Sequence, residues 1–321
     1  MMITKKENIL RTINRKNPEW VPYRYDSTLD LFPNILTRAI NGGLDDWGAS
    51  WIPTNSPEGS FPDKIPPLTI DQVSEYKVPE TDFEMIKNNL REKIEETTRK
   101  DVLLIVKNEL IYFERAKALL GMEETLVSMI FNKNKLKTLL SKILDYQELL
   151  VKAIMRSGCK NIRFTDDWGS QKAMLFSPSL WRELIKPGMK RLYEIVKDHN
   201  GMVFQHSCGH IEEIIPDLIE IGCDVIDPCQ PSSNDIFKWK KKFGRDLSFM
   251  GGLDTQTYLS LARPEQVKKE VAKVLSIMSK GGGYIPCPSH TITIPKSNRK
   301  AMIDTINNYN NGAYIINYSE N

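Results

Sequence analysis

From residue 102 onward the chain alternates short apolar runs with longer amphipathic stretches, and this alternation limits its possible folds more than any other feature. The runs are Val102–Val106, Asn161–Phe164, Met202–Phe204, Asp224–Pro228, Leu247–Met250 and Tyr284–Pro286, each three to five residues long. Runs of that length predict strands buried on both faces, as in a parallel sheet covered by helices. The stretches between them carry helix signals. A helical block spans about 112–156. Ser177-Pro178 supplies an N-cap hydroxyl and a proline at the first helical position. That helix runs to about Asp198 and is expected to bend or break at Pro187. Further helices are predicted over 211–221, near 234–243, from Pro264 to Gly281-Gly282-Gly283, and from about Ser297.

Upstream, a helix over 4–15, a short strand Val21–Asp26 and a helix over 81–99 bring the strand count to seven. Gly42–Pro67, rich in tryptophan and proline, reads as a long irregular loop or hairpin covering a site. The eighth strand of a closed barrel is expected around 50–70 within or beside it. No Gly-x-Gly-x-x-Gly follows the first strand, and there is no phosphate-cradling loop. The expected fold is therefore α/β: a single (β/α)8 TIM barrel over 1–321, with an open doubly wound sheet second.

Composition agrees with a globular enzyme-sized domain. Hydrophobic residues are 40% and charged residues 26%, far from a disordered balance. A net charge of +3, from 44 basic and 41 acidic residues spread along the chain, argues against nucleic acid or a membrane surface as partner. The run Lys238–Lys242 reads as a solvated helix face. Met1–Lys6 has no apolar segment of a signal sequence, and no stretch approaches a membrane span, so a cytoplasmic protein is expected. Five cysteines, an odd number, argue for reduced thiols. All of them, and all four histidines, lie in the second half.

A barrel builds its active site at the carboxyl ends of its strands. There stand Arg24, Tyr25 and Asp26; Lys107, Asn108 and Glu109; Asp166, Asp167 and Trp168; His206 and Cys208; Asp227 and Cys229; Gly251, Gly252 and Asp254; and Cys287 with His290. His206 and Cys208, two residues apart on an extended chain, share one face and make half of a zinc site. Cys287 or His290 would supply a third ligand, with His210 and Cys229 in reserve. His199, Cys159 and Cys223 belong to the opposite end. Asp166 and Asp167 read equally as acid–base groups or as capping carboxylates. Tyr25 and Trp168 can wall a ligand or pack, and Asp26, Glu109 and Asp254 are further substrate-binding candidates. Gly251-Gly252 implies close backbone approach to a ligand or a neighbouring loop.

Several pieces resemble the uroporphyrinogen decarboxylase superfamily. They are Asp166–Gln171, Ser177-Pro178, Lys186-Pro187, His206–Gly209, Asp224–Pro228, Gly251–Gln256 and Gly281–Tyr284, preceded by Arg15–Pro22. The resemblance implies a (β/α)8 barrel. It lacks the arginine-rich N-terminal motif of true decarboxylases, although Arg24-Tyr25-Asp26 stands at a comparable place. His206-x-Cys208 is similar instead to the zinc methyltransferases that work with corrinoid proteins, where a cysteine after the last strand completes the site. Cys287 is the first choice for that ligand and His290 the second. What this implies is zinc-dependent movement of a methyl group between a small substrate (methoxy, thioether, amine or thiol) and a corrinoid (cobalamin) on a partner protein. The Gly42–Pro67 stretch would then be a docking or lid surface. Two alternatives are a metal-free lyase acting on a polycarboxylate and a ligand-binding barrel without turnover.

Overall fold

Seven apolar segments pair into one all-parallel sheet. The computed structural model describes residues 3–55 and 59–311. In chain order the strands are β1 (Thr28–Leu31), β2 (Gly43–Leu44), β3 (Ser50–Pro53), β4 (Ser60–Pro62), β5 (Leu103–Asn108), β6 (Asn161–Thr165), β7 (Met202–His206), β8 (Val225–Asp227), β9 (Ser248–Leu253) and β10 (Tyr284–Pro288). The large sheet runs β1-β5-β6-β7-β8-β9-β10, each neighbour pair parallel. Every residue of β6, β8 and β9 is buried, as expected of strands covered on both faces, with Arg163 and Asp227 the charged exceptions to their apolar character.

The helices cover the outer side. The long helix Lys133–Arg156 buries Leu136, Leu140, Ile143, Leu150 and Ile154 at helical spacing and packs on the helices Phe83–Thr97 and Lys186–Asp198. The Ser177 hydroxyl accepts from the Leu180 amide as the N-cap of helix Pro178–Leu184. The chain breaks at Ile185, leaving Pro187 in the first turn of the next helix, where its missing N–H costs nothing. Among the described residues no helix is long and apolar enough to cross a membrane.

Two expectations about the N-terminal third are corrected. The expected strand Val21–Asp26 is not paired, and Arg24–Ser27 forms a helical turn ahead of β1. Pro22 has no amide to donate, and both backbone groups of Val21 are satisfied by the Asn310 side chain, its N–H at 2.9 Å and its C=O at 3.2 Å. Nor, among the described residues, does the Trp/Pro-rich stretch supply an eighth barrel strand. β2, β3 and β4 form a separate antiparallel sheet. Pro57, within that stretch, and Met1-Met2 lie outside the described residues.

The small sheet is tied down by Asp45. Its Oδ1 accepts from Trp47 N and Ala49 N, each at 2.9 Å, and its Oδ2 from Trp51 Nε1 at 3.0 Å and Arg115 at 2.6 Å. Arg115 also donates to Thr37 O at 2.7 Å and lies 4.9 Å from the Trp47 ring centroid. The stretch expected to be a loop or hairpin over a site is antiparallel, as a hairpin is, and is clamped to the helix Phe113–Leu120. In the large sheet, β1 and β10 are not hydrogen-bonded to each other among the described residues; the turn Arg24–Ser27 packs against both. The sheet is curled, and side chains from β1, β6, β7 and β8 meet on its inner side.

Candidate functional site

The site is built where the loops after β6 and β7 cross. The Trp168 amide donates to Ser207 Oγ at 3.0 Å, Cys208 N to Asp167 Oδ1 at 2.8 Å, and His210 N to Ser170 O at 2.8 Å. This crossing is only possible with glycine on both sides. A Cβ on Gly169 would stand 2.5 Å from His210 N, and one on Gly209 would stand 2.4 Å from the Gly169 carbonyl carbon. Gly209 also has φ +78°, in the left-handed region. The crossing sets Asp167 over the end of β7.

There Asp167, His206 and Cys208 present a carboxylate oxygen, a ring nitrogen and a sulfur within 4.8 Å of one another. His206 Nε2 lies 3.5 Å from Cys208 Sγ and 3.7 Å from Asp167 Oδ1. Ideal tetrahedral zinc geometry separates a sulfur and an imidazole nitrogen by about 3.5 Å, and a nitrogen and a carboxylate oxygen by about 3.4 Å. The donor set and its spacing therefore fit a zinc ion with one position left open.

Behind His206 runs a buried charge network. His206 Nδ1 lies 2.7 Å from Asp227 Oδ2, and the same oxygen accepts from Arg163. Arg163 also reaches Asp30 at 3.2 Å, and Arg24 holds that carboxylate at 2.9 Å. Burial alone would raise the Asp227 pKa. Arg163, the hydrogen bond from His206 and the charge of Arg24 outweigh it and hold the carboxyl well below its usual range. A carboxylate on the far nitrogen of a ligating histidine orients the ring and raises its basicity.

Asp166, one residue before Asp167, has a different place. Fully buried, it accepts from the amides of Tyr112, Phe113 and Glu114 at 3.3, 3.0 and 2.8 Å, and from Trp168 Nε1 at 2.7 Å. It caps the helix Phe113–Leu120. Trp168 is fully buried as well, its ring 5.3 Å from that of Trp181, so it packs rather than walling a ligand.

The remaining expected residues are dispersed. Cys287 is buried on β10 beside Arg24 and Asp227; burial pushes its thiol up to about 12, with Arg24 acting against. His290 follows in the next loop, and neither belongs to the cluster of donor atoms. Among the described residues the donor atoms grouped with His206 and Cys208 are those of Asp167. Tyr25 is 58% exposed and lies against the Arg24 guanidinium. Asp26 pairs with Lys5 at 2.9 Å and Glu109 with Lys107 at 2.5 Å. Asp254 accepts from Gln256 N at 2.8 Å, heading a helical turn. His210 is held by Ser233 O and Glu213, and Cys229 is buried against Ile226 O. His199 bonds Ile195 O, and Cys159 and Cys223 are buried. Gly251 proves to be a contact with a loop: a Cβ there would stand 1.9 Å from Pro228 O.

Sequence reasoning passed over Glu114 and Lys117, paired at 2.8 Å on the capped helix. Burial and the neighbouring Asp167 push the Glu114 carboxyl up, while Lys117 and His206 draw it down. It also passed over Asp30 and Arg163. The one signal for Arg163 was a charged residue between Ile162 and Phe164 in a short strand.

Residues 59–309 match the uroporphyrinogen decarboxylase (URO-D) family. The chain is 27% identical over 180 residues to the uroporphyrinogen decarboxylase of Psychromonas ingrahamii, covering 53% of this chain and 48% of that protein. With the enzyme of Pseudomonas savastanoi pv. phaseolicola it shares 25% identity over 183 residues, 54% of this chain and 49% of the other. The chain thus spans about half the length of the curated relatives it matches. A methyltransferase from Methanosarcina mazei has the same fold, with a TM-score of 0.73 at 16% identity over 96% of this chain and 99% of that one.

Proposed function

The chain belongs to the uroporphyrinogen decarboxylase (URO-D) family, and from that premise we propose that it is a zinc-dependent methyltransferase moving a methyl group between a small substrate and a corrinoid carried by a partner protein. The observation that carries the reading is the trio of Asp167, His206 and Cys208, spaced for tetrahedral zinc and backed by Asp227. The same-fold neighbour named as a methyltransferase agrees with it. The substrate would be a methoxy, thioether, amine or thiol compound.

Zinc, when bound, would hold the substrate's sulfur, oxygen or nitrogen and make a thiol acidic at neutral pH. The rest falls to side chains. Cys208 brings a thiolate, which tempers the metal's Lewis acidity. His206 would offer Nε2, its Nδ1 lying 2.7 Å from Asp227 Oδ2. Asp167 is fixed by the Cys208 amide and contributes an oxygen. Glu114, held by Lys117, is the carboxylate to take a proton that a thiol acceptor gives up. The buried position of the network behind His206 keeps bulk water from that side.

The competing reading, a metal-free lyase acting on a polycarboxylate, needs cations free to meet the substrate. Arg24 and Arg163, on the inner side of the sheet, already face Asp30 and Asp227. Metal analysis of the purified protein separates the readings, a binding barrel without turnover included. One zinc per chain, lost in His206→Ala and Cys208→Ser, together with thiol-dependent demethylation of methylcobalamin, supports methyl transfer. Metal-free protein that decarboxylates a porphyrinogen would end it.

A further inference from the structure

We propose that Gln171 and Gln256 form a strap across the mouth of the curled sheet and set the size of the molecule that reaches Cys208 and His206. The two side chains pair amide to amide. Gln171 Nε2 donates to Gln256 Oε1 at 3.0 Å, and Gln256 Nε2 donates back to Gln171 Oε1 at 3.4 Å. Gln171 lies in the loop after β6 and Gln256 in the turn after β9, so the pair spans β7 and β8, the two strands between them. Those two strands end in His206 and Asp227. The proposed chemistry uses neither glutamine, although each closes one of the stretches, Asp166–Gln171 and Gly251–Gln256, singled out in the sequence.

Both bases of the strap are fixed, while its tips can part. On the β6 side, Ser170 N and Oγ both donate to Ala173 O, at 2.7 and 2.8 Å, and Ser170 O accepts from His210 N at 2.8 Å. On the β9 side, Asp254 Oδ1 holds the Gln256 amide at 2.8 Å. The buried Asn298 donates to Leu259 O at 3.1 Å and to Ala262 O at 2.8 Å, fastening the far end of the wide turn Thr255–Leu259. Gln171 and Gln256 themselves are exposed, so water competes for the amide pair and its net strength is small. Exposed side chains also change rotamer quickly, so the strap opens by side-chain rotation with the loops left in place. With the pair formed, the His206 and Asp167 side chains keep 21% and 30% exposure. A small ligand therefore passes beside the strap, and a bulky one has to part it.

This selection by size rests on the proposed methyl transfer for its purpose, since a corrinoid is bulky and a simple thiol is not, but its test does not. In the chelator-treated full chain Cys208 is the half-exposed thiol and the other four cysteines are buried. Its modification, read by peptide mass spectrometry, therefore reports access at that one place. Two neutral maleimides, N-methyl and N-pyrenyl, attack the thiol by the same chemistry, so the ratio of their rates cancels any change in the reactivity of Cys208. Gln171→Glu with Gln256→Glu sets two carboxylates against each other, and the pyrenyl-to-methyl ratio should rise by roughly 3–10-fold, the worth of one exposed hydrogen bond. Gln171→Glu with Gln256→Lys puts opposite charges in place of the amides and should hold the ratio at or below that of wild type. A ratio unchanged in the first double variant, or raised equally in the second, overturns the strap. Wild type that binds no zinc ends the methyltransferase reading instead, and leaves the two ratios to decide the role of the glutamines.

Discussion

Replacing Asp45 by asparagine tests the claim that the small antiparallel sheet is fastened by a buried charge pair. The carboxylate faces donors only: the amides of Trp47 and Ala49, the indole of Trp51 and the Arg115 guanidinium. An asparagine keeps one acceptor oxygen for the two amides but turns an NH2 toward the indole and the guanidinium. Arg115, about 1% exposed, is then left with Thr37 O and the Trp47 ring as its remaining contacts. A buried charge stripped of its partner costs about 3–5 kcal/mol. Arg115→Met removes the cation instead and leaves Asp45 with three N–H donors, at a cost of about 2–3 kcal/mol. The double variant removes both charges, so it should lose less than the sum of the singles by about 2–3 kcal/mol. Urea unfolding at 25 °C, followed by tryptophan fluorescence and circular dichroism, measures all three. Additive losses, or an Asp45→Asn cost below about 1 kcal/mol, would show that the pair does not hold the sheet.

Gly209→Ala should destabilise the chain by at least about 2 kcal/mol and abolish metal binding, because φ +78° and a 2.4 Å contact with Gly169 both oppose a Cβ. Unfolding and zinc titration on the same sample would test it, and intact zinc binding would contradict the crossed-loop geometry. Lys240 provides a pH test away from the site. Burial, with Arg15 nearby, lowers its pKa from 10.5 to about 8, and its Nζ donates to Gly282 O. Its folded-state pKa lies below the unfolded one, so its contribution is fully present above about pH 10.5 and lost as pH falls through about 8. Stability should therefore rise with pH across that window, and Lys240→Met should flatten the rise in parallel unfolding curves.

Legibility followed the range of the interactions. β5 to β10 and their helices could be read because each is marked locally, by an apolar run, by a cap such as Ser177 or by a proline at a helix start. Val21–Asp26 has the composition of a strand, yet its backbone is claimed by Asn310, far away in sequence. The tryptophans around residue 50 look like a loop until Asp45 and Arg115 are seen to gather them. In the site, the proximity of His206 and Cys208 was present in their spacing. That Asp167 joins them depends on two backbones crossing at glycines 40 residues apart, which no local pattern announces. Asp166 and Asp167 are identical in type and adjacent, and only the fold assigns one to a helix cap and the other to the cluster.

That division of labour between the two aspartates makes the small sheet and the donor cluster parts of one mechanical train. Its outer face presents Leu44, Ile52 and Phe61, each 45–65% exposed. Its inner side is bolted through Asp45 to Arg115; the helix bearing Arg115 ends on Asp166; and the next residue, Asp167, holds the Cys208 amide. Each joint is a short hydrogen bond or a peptide link. The exposed face of that sheet and the donor atoms are thus joined by an unbroken succession of hydrogen bonds and peptide links.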